Sequence, residues 1–244
     1  CTNYISFLED LGVSHKSHLQ RRLRVIVYGP DGRMGILSSN PLLPAPLHLA
    51  WSFLQYPHIS LRDKLRAIPA LVRIWRTDRS RNPDLEMQTF YEWLCRHGQS
   101  EEAIEKFWNL IIRPTLNDDV KVVSADMGFM VFQNGLLCNR HGGDVGYSRV
   151  GLSELMGDAA LERIRGMGGM AMLGRSVQRI LVQENKVNGL ELSDGTILSA
   201  DAYVSALPFD ELLSALPSEL QESDFFSRAK KLEWSPIVDL HLWY

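Results

Sequence analysis

The sequence predicts a mixed α/β fold, and three observations lead to that class. Residues 168–208 carry the signals of a short strand, a three-stranded antiparallel meander and a final buried strand. Between residues 60 and 137, apolar residues recur at helical spacing behind serines and threonines of the kind that cap helices. The composition is that of an ordinary globular protein, with 45% apolar and 23% charged residues.

The N-terminal part is predicted to combine helical segments with a hairpin. Residues 4–11 form a predicted helix that ends at Gly12, because glycine accepts the left-handed conformation of a helix C-cap. Residues 23–28 and 33–37 flank a Gly-Pro-Asp-Gly turn and are predicted to pair. A proline-rich linker then leads into a helical segment at 47–55.

A basic amphipathic helix is predicted to begin after Ser60, its N-cap, and Pro69 is expected to kink it. A basic amphipathic helix beside an apolar one that contains tryptophan can lie in the interface of an anionic membrane. Residues 45–76 are therefore a predicted peripheral membrane contact. The alternative, which the sequence leaves open, is a solvated basic face on a core helix.

Two shorter helices are predicted next. Thr89 and Glu92 have the spacing of a capping box, in which each side chain bonds the backbone N–H of the other residue. Ser100 is predicted to cap the following helix, 101–113, and Pro114 is expected to end it.

A further helix is predicted at residues 124–137. Its Phe129 and Phe132 are predicted to line an apolar cavity, together with two methionines at helical spacing. The same spacing is typical of side chains in an ordinary hydrophobic core, and the sequence alone leaves both interpretations open.

The meander has the strongest strand signals. After a predicted helix at 152–165, residues 176–183 and 187–192 are predicted as strands, because they are rich in aliphatic residues and bounded by polar turns. Asp194 and Gly195 are predicted to form a two-residue hairpin turn with positive φ at both positions.

A final strand is predicted at 202–205. It is short and uncharged, as expected of a strand covered on both faces. Ala206 and Pro208 follow it, and a small residue and one without an N–H let the backbone pass close to a flat ligand. The carboxyl ends of parallel strands are where open α/β sheets bind ligands, so a ligand contact is predicted here.

Charge and cysteine content argue against several classes of function. A net charge of −3 gives no electrostatic basis for binding nucleic acid. The three cysteines lie far apart, without the spacing of a metal site or a disulfide framework, which fits a reducing compartment. No apolar run reaches the roughly 18 residues of a spanning helix, and the first residues lack the apolar core of a signal peptide.

The spacing of the meander, its Asp-Gly turn and its final Ala-x-Pro resembles the second FAD-binding segment of the flavin amine oxidase and phytoene desaturase superfamily. The resemblance implies a two-domain, FAD-dependent amine-oxidase-like fold. It implies that Val177 lends its backbone to the adenine of FAD. The further cofactor contacts implied are Gly151, Ala206, Leu207 and Pro208.

Several stretches outside the meander resemble one branch of this superfamily, and they include residues 44–49, 56–65, 93–100, 151–155 and 236–243. This branch is the squalene-associated FAD-dependent desaturase family, now understood as hydroxysqualene dehydroxylase. The resemblance implies reduction of hydroxysqualene to squalene by hydride transfer from reduced FAD, in squalene and hopanoid biosynthesis. It implies an isoprenoid lipid substrate and a bacterial enzyme. Together with the basic helix, it predicts a cytoplasmic location, peripheral on the inner face of the cytoplasmic membrane.

Two alternative functions remain open. A carotenoid or phytoene-type FAD-dependent desaturase would share the flavin scaffold and differ in the direction of the redox step. A non-catalytic isoprenoid- or partner-binding module is the alternative of another class, favoured by the absence of a Gly-x-Gly-x-x-Gly loop from these 244 residues. We interpret the chain instead as an internal fragment of a flavoenzyme, which by itself is expected to bind FAD weakly or not at all.

Five side chains are candidates for the acid that would face a leaving hydroxyl: His48, His58, His97, Asp126 and Tyr147. Tyr147 is preferred because it lies in the glycine-rich approach to the flavin domain. His97 is better explained by contact with the last carbonyls of a helix, and Asp126 by a structural role.

The predicted organisation alternates between two domains. Residues 1–22 are the end of an N-terminal FAD-domain segment, and 23–148 form a substrate-binding domain. Residues 149–216 are an FAD-binding segment that contains the meander. Residues 217–244 return to the substrate-binding domain through a strand at 237–243.

Overall fold

The computed structural model describes residues 2–238 and residue 240. Its helices are α1 (Thr2–Asp10), α2 (Ala50–Gln55), α3 (Leu61–Arg76), α4 (Phe90–Arg96), α5 (Glu101–Ala103), α6 (Asn109–Leu116), α7 (Ala125–Phe132), α8 (Asp158–Gly166), α9 (Phe209–Ala215) and α10 (Ser218–Gln221). Its strands are β1 (Ser17–Leu19), β2 (Arg24–Tyr28), β3 (Met34–Ser38), β4 (Gly146–Ser148), β5 (Val177–Gln183), β6 (Lys186–Leu192) and β7 (Ile197–Leu198). π-helical segments adjoin several helices, at Ile104–Trp108, Gln133–Leu137 and Ser153–Gly157.

The described residues fall into two compact units. The first contains residues up to 160 together with 236–238 and 240, and the second contains 161–235. In the first unit β1 pairs antiparallel with β4, and β2 with β3. In the second, β5, β6 and β7 form an antiparallel sheet in chain order. The predicted hairpin and meander are confirmed. Within the described part of the chain, no helix is both long enough and apolar enough to cross a bilayer.

Helix starts in the first unit follow the predicted caps. The hydroxyls of Ser60 and Ser100 each accept a hydrogen bond from the backbone N–H three residues later, at 3.1 and 3.2 Å. Thr89 and Glu92 form the reciprocal capping box at the start of α4. These contacts satisfy N–H groups that a helix leaves without internal partners, which is why local sequence predicts them well.

An aromatic cluster forms the core of the first unit. Phe90, Trp108 and Phe132 are fully buried, and the Trp108 ring centroid lies 4.9 Å from that of Phe132 and 5.9 Å from that of Phe90. Gly128 leaves room for this packing, because a Cβ there would lie 2.5 Å from the Phe90 ring. Truncation of one such ring typically costs about 3–5 kcal/mol. The cluster therefore fixes α4 and α7 around the π segment that carries Trp108.

The helix predicted at 101–113 does not end at Pro114. Helix α5, the π segment Ile104–Trp108 and α6 run on to Asn117, whose φ of 57° places it in the left-handed region. Asn117 therefore ends the helix, as left-handed residues commonly do. Pro114 is tolerated one turn earlier, and the neighbouring Thr115 hydroxyl donates to the Ile111 carbonyl at 2.6 Å.

The two turns of the meander differ from the prediction. Glu184 and Asn185 have φ values of 52° and 59°, so it is the first turn that has positive φ at both central positions. In the second turn only Gly195 is left-handed, and the Leu192 N–H donates to the Thr196 carbonyl at 2.9 Å. The predicted two-residue turn was wrong. The loop has three residues, 193–195, and Gly195 occupies the one left-handed position in it.

The buried strand predicted at 202–205 is not formed. Residues 202–208 are irregular, and Val204 is 96% exposed. A strand of this kind needs a neighbouring strand, and no described strand pairs with this segment. The short strand predicted just after residue 168 is not formed either, because no described strand pairs with that segment. Residues 237, 238 and 240 of the last predicted strand are also irregular, and its other residues lie outside the described part.

Candidate functional site

The first unit contains an apolar cavity of about 1000 Å³. Aliphatic and aromatic side chains from α2, α3, α6, α7 and the β2–β3 hairpin form most of its wall. Cavities of this size and character are the usual binding sites for mainly apolar small molecules. The side chains that line it include Val25, Leu37, Phe53, Leu71, Val72, Leu110, Ile111 and Met130.

Two helices contribute stripes with the same spacing. On each helix the lining residues recur at i, i+3, i+4 and i+7, the positions that share one face. The stripe on α3 consists of Ile68, Leu71, Val72 and Trp75. The stripe on the helix that runs from α5 to α6 consists of Phe107, Leu110, Ile111 and Pro114.

Another part of the wall is made by backbone. The π segment Gln133–Leu137 and the loop 139–145 approach so closely that a Cβ added to Gly142 would lie 2.0 Å from the Asn134 carbonyl oxygen. Gly142 and Gly143 both border the cavity. π-helical segments are frequent at functional sites. The sequence signal for this wall is the glycine-rich stretch after Arg140, which sequence analysis relates to the flavin domain and not to a cavity.

The two phenylalanines predicted to line a cavity have different surroundings. Phe132 borders the cavity beside Met130. Phe129 is 1% exposed and packs edge-on against Trp93, with ring centroids 4.8 Å apart. Both residues therefore belong to the aromatic core, and Phe132 also contributes to the wall.

Of the candidate acids, Tyr147 and Asp126 lie in contrasting environments. Tyr147, in β4, is 62% exposed, and its ring centroid is 5.2 Å from that of His18. Asp126 is buried and accepts two hydrogen bonds from the Arg79 guanidinium, at 2.8 and 2.5 Å. A carboxylate held in two places by an arginine is a poor proton donor, which favours a structural role for Asp126.

Two of the candidate histidines have assigned partners. The Arg73 guanidinium lies 2.6 Å from His97 Nε2, so His97 Nδ1 is the protonated nitrogen that donates to the Trp93 carbonyl at 2.7 Å. His58 Nε2 lies 3.2 Å from the Val27 carbonyl oxygen. These contacts join helices and hairpin and are consistent with structural roles.

His48 differs from the other histidines because it is 2% exposed and its Nδ1 has no hydrogen-bond partner among the described residues. Burial is the main cause that holds the pKa of His48 below its ordinary value. Pro46 and Leu49, on either side of it, border the cavity. His48 is therefore a buried candidate acid in a segment from which Pro46 and Leu49 border the cavity.

The cofactor contacts implied by the resemblance lie in both units. Val177 is the half-buried first residue of β5, beside an irregularity in the β5–β6 register. Pro208 precedes α9, which packs against β5, so these two positions lie on neighbouring elements. Residues 206–208 are exposed and carry no regular secondary structure. Gly151, in the first unit, has open space where a Cβ would be.

A profile of the family described as flavin containing amine oxidoreductase matches residues 3–244. Among curated proteins, the 15-cis-phytoene desaturase of Solanum lycopersicum is 28% identical over 249 residues, covering 99% of this chain and 42% of the relative. The 15-cis-phytoene desaturase of Oncidium hybrid cultivar is 24% identical over 249 residues, covering 99% and 42%. That of Synechococcus elongatus is 21% identical over 255 residues, covering 99% and 52%. The chain thus spans about half the length of these relatives.

Two solved structures have the same fold. An oxidoreductase from Methanosarcina mazei aligns with a TM-score of 0.66 at 21% identity, over 94% of this chain and 50% of that chain. A putrescine oxidase aligns with a TM-score of 0.54 at 15% identity, over 86% of this chain and 45% of that chain. At these identities the matches show the fold alone.

Proposed function

We propose that this chain, which belongs to the flavin containing amine oxidoreductase family, forms the cavity and meander portion of an enzyme that acts on a long isoprenoid. The family match confirms the predicted FAD-dependent oxidoreductase and its α/β fold. The observation that carries the substrate class is the apolar cavity of about 1000 Å³. Transfer of a hydrocarbon from water into such a cavity is favoured by about 25 cal/mol per Å² of buried apolar surface.

Within this proposal, Val177 and residues 206–208 hold part of the FAD. Val177 begins β5, which packs against α9, and residues 206–208 lead into α9 and are exposed. The bound flavin supplies hydride transfer, while the protein positions the substrate and excludes water. The apolar stripes of α3 and α6 would orient an isoprenoid chain.

Desaturation of a phytoene-type polyene precursor is the first candidate reaction. The curated relatives that match nearly the whole chain include 15-cis-phytoene desaturases and a zeta-carotene desaturase of Solanum lycopersicum. Their names support removal of a hydride and a proton from a hydrocarbon. The cavity wall is consistent with a substrate that has no polar group.

Reduction of hydroxysqualene to squalene is the second candidate. The stretches at 44–49, 56–65 and 93–100 support it, since they resemble the dehydroxylase branch. This reaction needs a proton donor for the leaving hydroxyl, and one candidate is His48, whose segment contributes Pro46 and Leu49 to the wall. The family match over residues 3–244 supports either enzyme over a non-catalytic binding module.

A pair of matched substitutions tests the role of the cavity. Val72 lines it and Val122 does not, and both residues are partly exposed, by 41% and 65%. Val72→Trp in the intact FAD-loaded protein should lower kcat/KM for phytoene or hydroxysqualene by about tenfold or more, because it fills substrate volume. Flavin content should stay unchanged. Val122→Trp should behave as wild type, and equal losses in both variants would contradict a cavity site.

We also propose that residues 45–76 contact a lipid surface. Large apolar side chains are exposed here, among them Trp51 at 64%, Leu61 at 65% and Leu65 at 58%. Exposed arginines on α3 lie among them. Ile68, Val72 and Trp75 on α3 are partly exposed and also border the cavity, so the cavity wall reaches this surface. An apolar face with arginines fits an anionic membrane interface, in line with the predicted peripheral location.

Vesicle sedimentation tests the lipid contact. Arg62→Glu with Arg66→Glu should reduce binding of the protein to vesicles that contain phosphatidylserine by about tenfold or more, since each basic residue contributes roughly 1 kcal/mol near such a surface. Arg163→Glu with Arg165→Glu, in the last turn of α8, makes the same change of charge elsewhere. Equal losses for both pairs would show a net-charge effect and contradict a defined surface.

A further inference from the structure

Pro114 interrupts the hydrogen bonding of a helix that forms part of the cavity wall. It lies inside α6, and it borders the cavity. Proline has no backbone N–H, so it cannot donate to the carbonyl four residues earlier. That carbonyl belongs to Leu110, which borders the cavity as well. The Leu110 carbonyl therefore lacks the donor that an uninterrupted α-helix supplies at this position.

No described side chain donates to the Leu110 carbonyl in place of the missing N–H. The Thr115 hydroxyl, one residue beyond Pro114, donates instead to the Ile111 carbonyl at 2.6 Å. The Arg113 guanidinium donates to the Asp119 carboxylate at 2.7 Å. A carbonyl oxygen has two lone pairs, so a further backbone N–H near it would still leave one of them free. The Leu110 carbonyl is thus an available acceptor between two residues of the cavity wall.

The wall around this acceptor is apolar. Phe107 and Ile111 lie on the same helix face, and α7, which packs against α6, contributes Met130 and Phe132. A hydrocarbon that fills the cavity displaces water from the Leu110 carbonyl and leaves it without that partner. An acceptor left unpaired in this way costs the free energy of its desolvation. A ligand that carries a hydroxyl group avoids this cost by donating a hydrogen bond.

We propose that the Leu110 carbonyl is a specificity-determining contact, which accepts a hydrogen bond from a hydroxyl group of the isoprenoid in the cavity. The isoprenoid nature of this ligand rests on the proposed function. A carbonyl can only accept, so the contact positions the hydroxyl group and leaves its oxygen lone pairs open to a proton donor. Of the two candidate reactions, the contact favours the one whose substrate has a leaving hydroxyl, because phytoene has no group that donates.

Pro69 provides a matched control position. It lies inside α3 as Pro114 lies inside α6, and both prolines are exposed. Among the described residues that border the cavity, neither Pro69 nor Leu65, four positions before it, is present. Replacing either proline by alanine restores an N–H to the helix and raises helix propensity. Both variants are therefore expected to fold.

Displacement of diphenylhexatriene, an uncharged fluorescent polyene, tests the contact in the intact FAD-loaded protein. The flavin is kept oxidised so that hydroxysqualene is not reduced. Hydroxysqualene and squalene compete separately, and they differ by the hydroxyl group. The wild type should bind hydroxysqualene about threefold to tenfold more tightly than squalene, the range that one hydrogen bond provides. Pro114→Ala should bring this ratio close to one, because the new N–H occupies the Leu110 carbonyl. Pro69→Ala should keep the wild-type ratio.

Equal affinities of the wild type for the two isoprenoids would overturn the hydroxyl contact and leave an apolar binding site in place. A ratio that persists in Pro114→Ala would also overturn it, and loss of that ratio in Asn134→Leu would place the contact on the π segment Gln133–Leu137, where Asn134 borders the cavity. Loss of the ratio in both proline variants would show a general change of helix geometry and count against Leu110. Failure of both isoprenoids to displace the probe would refute the proposed function, and with it the ligand of this contact.

Discussion

At the scale of single residues, Asp63 joins two helix starts. Its carboxylate accepts a hydrogen bond from the Ser60 hydroxyl at 2.6 Å and from the Ser100 hydroxyl at 2.8 Å. The same two serines cap α3 and α5. The bond from Ser60 is the main cause that holds the pKa of Asp63 below its ordinary value, and burial acts against it.

Asp63→Asn should lower the free energy of unfolding by about 1–2 kcal/mol at neutral pH, because an amide is a weaker acceptor than a buried carboxylate. The depressed pKa of Asp63 gives a stabilisation that is present above about pH 4 and is lost as the pH falls through the folded-state pKa. Urea denaturation should therefore show the two proteins converging in acid. The exposed Asp84→Asn is the control and should change little. A deficit that is the same at neutral and acid pH would contradict this role.

At the scale of secondary-structure elements, the contact between the π segment and the loop 139–145 determines one side of the cavity. Gly142 faces the Asn134 carbonyl too closely for any Cβ, whereas a Cβ on Gly135, in the same π segment, would meet no atom within 4 Å. The two glycines therefore form a matched pair of test positions.

Gly142→Ala should destabilise the first unit by about 2 kcal/mol or more, because the backbone has to move apart to admit the methyl group. Gly135→Ala should be neutral or stabilising by up to about 1 kcal/mol, because it only reduces the freedom of the unfolded chain. Thermal unfolding of both variants checks the pair. Equal stabilities would show that the loop does not pack closely against the π segment.

The same scale shows which elements the sequence could predict. The caps at Ser60, Thr89 and Ser100 are contacts within three residues, and all three were predicted correctly. Pro114 was misjudged because Asn117, three residues on, ends the helix. The strand at 202–205 was wrong because a strand depends on partners distant in sequence, which a local pattern does not contain.

At the scale of the whole molecule, part of the candidate site was predictable and part was not. The apolar stripe of α3 follows from helical spacing in the sequence. The close approach of Gly142 to the Asn134 carbonyl depends on how the loop packs. The burial of His48 depends on segments distant in the chain, since Arg140 and Asp144 act on its charge, so neither feature carries a local signal. The flavin contacts at Val177 and residues 206–208 stay predictions that rest on the resemblance.

Absorbance of the flavin in the intact protein under anaerobic conditions is the most direct test of the proposed isoprenoid substrate. Oxidised flavin should be bleached on mixing with phytoene, or chemically reduced flavin should be reoxidised on mixing with hydroxysqualene. The first outcome assigns desaturation and the second assigns reductive removal of the hydroxyl. A flavin that responds to neither isoprenoid but is bleached by an amine such as putrescine would contradict the proposed isoprenoid substrate.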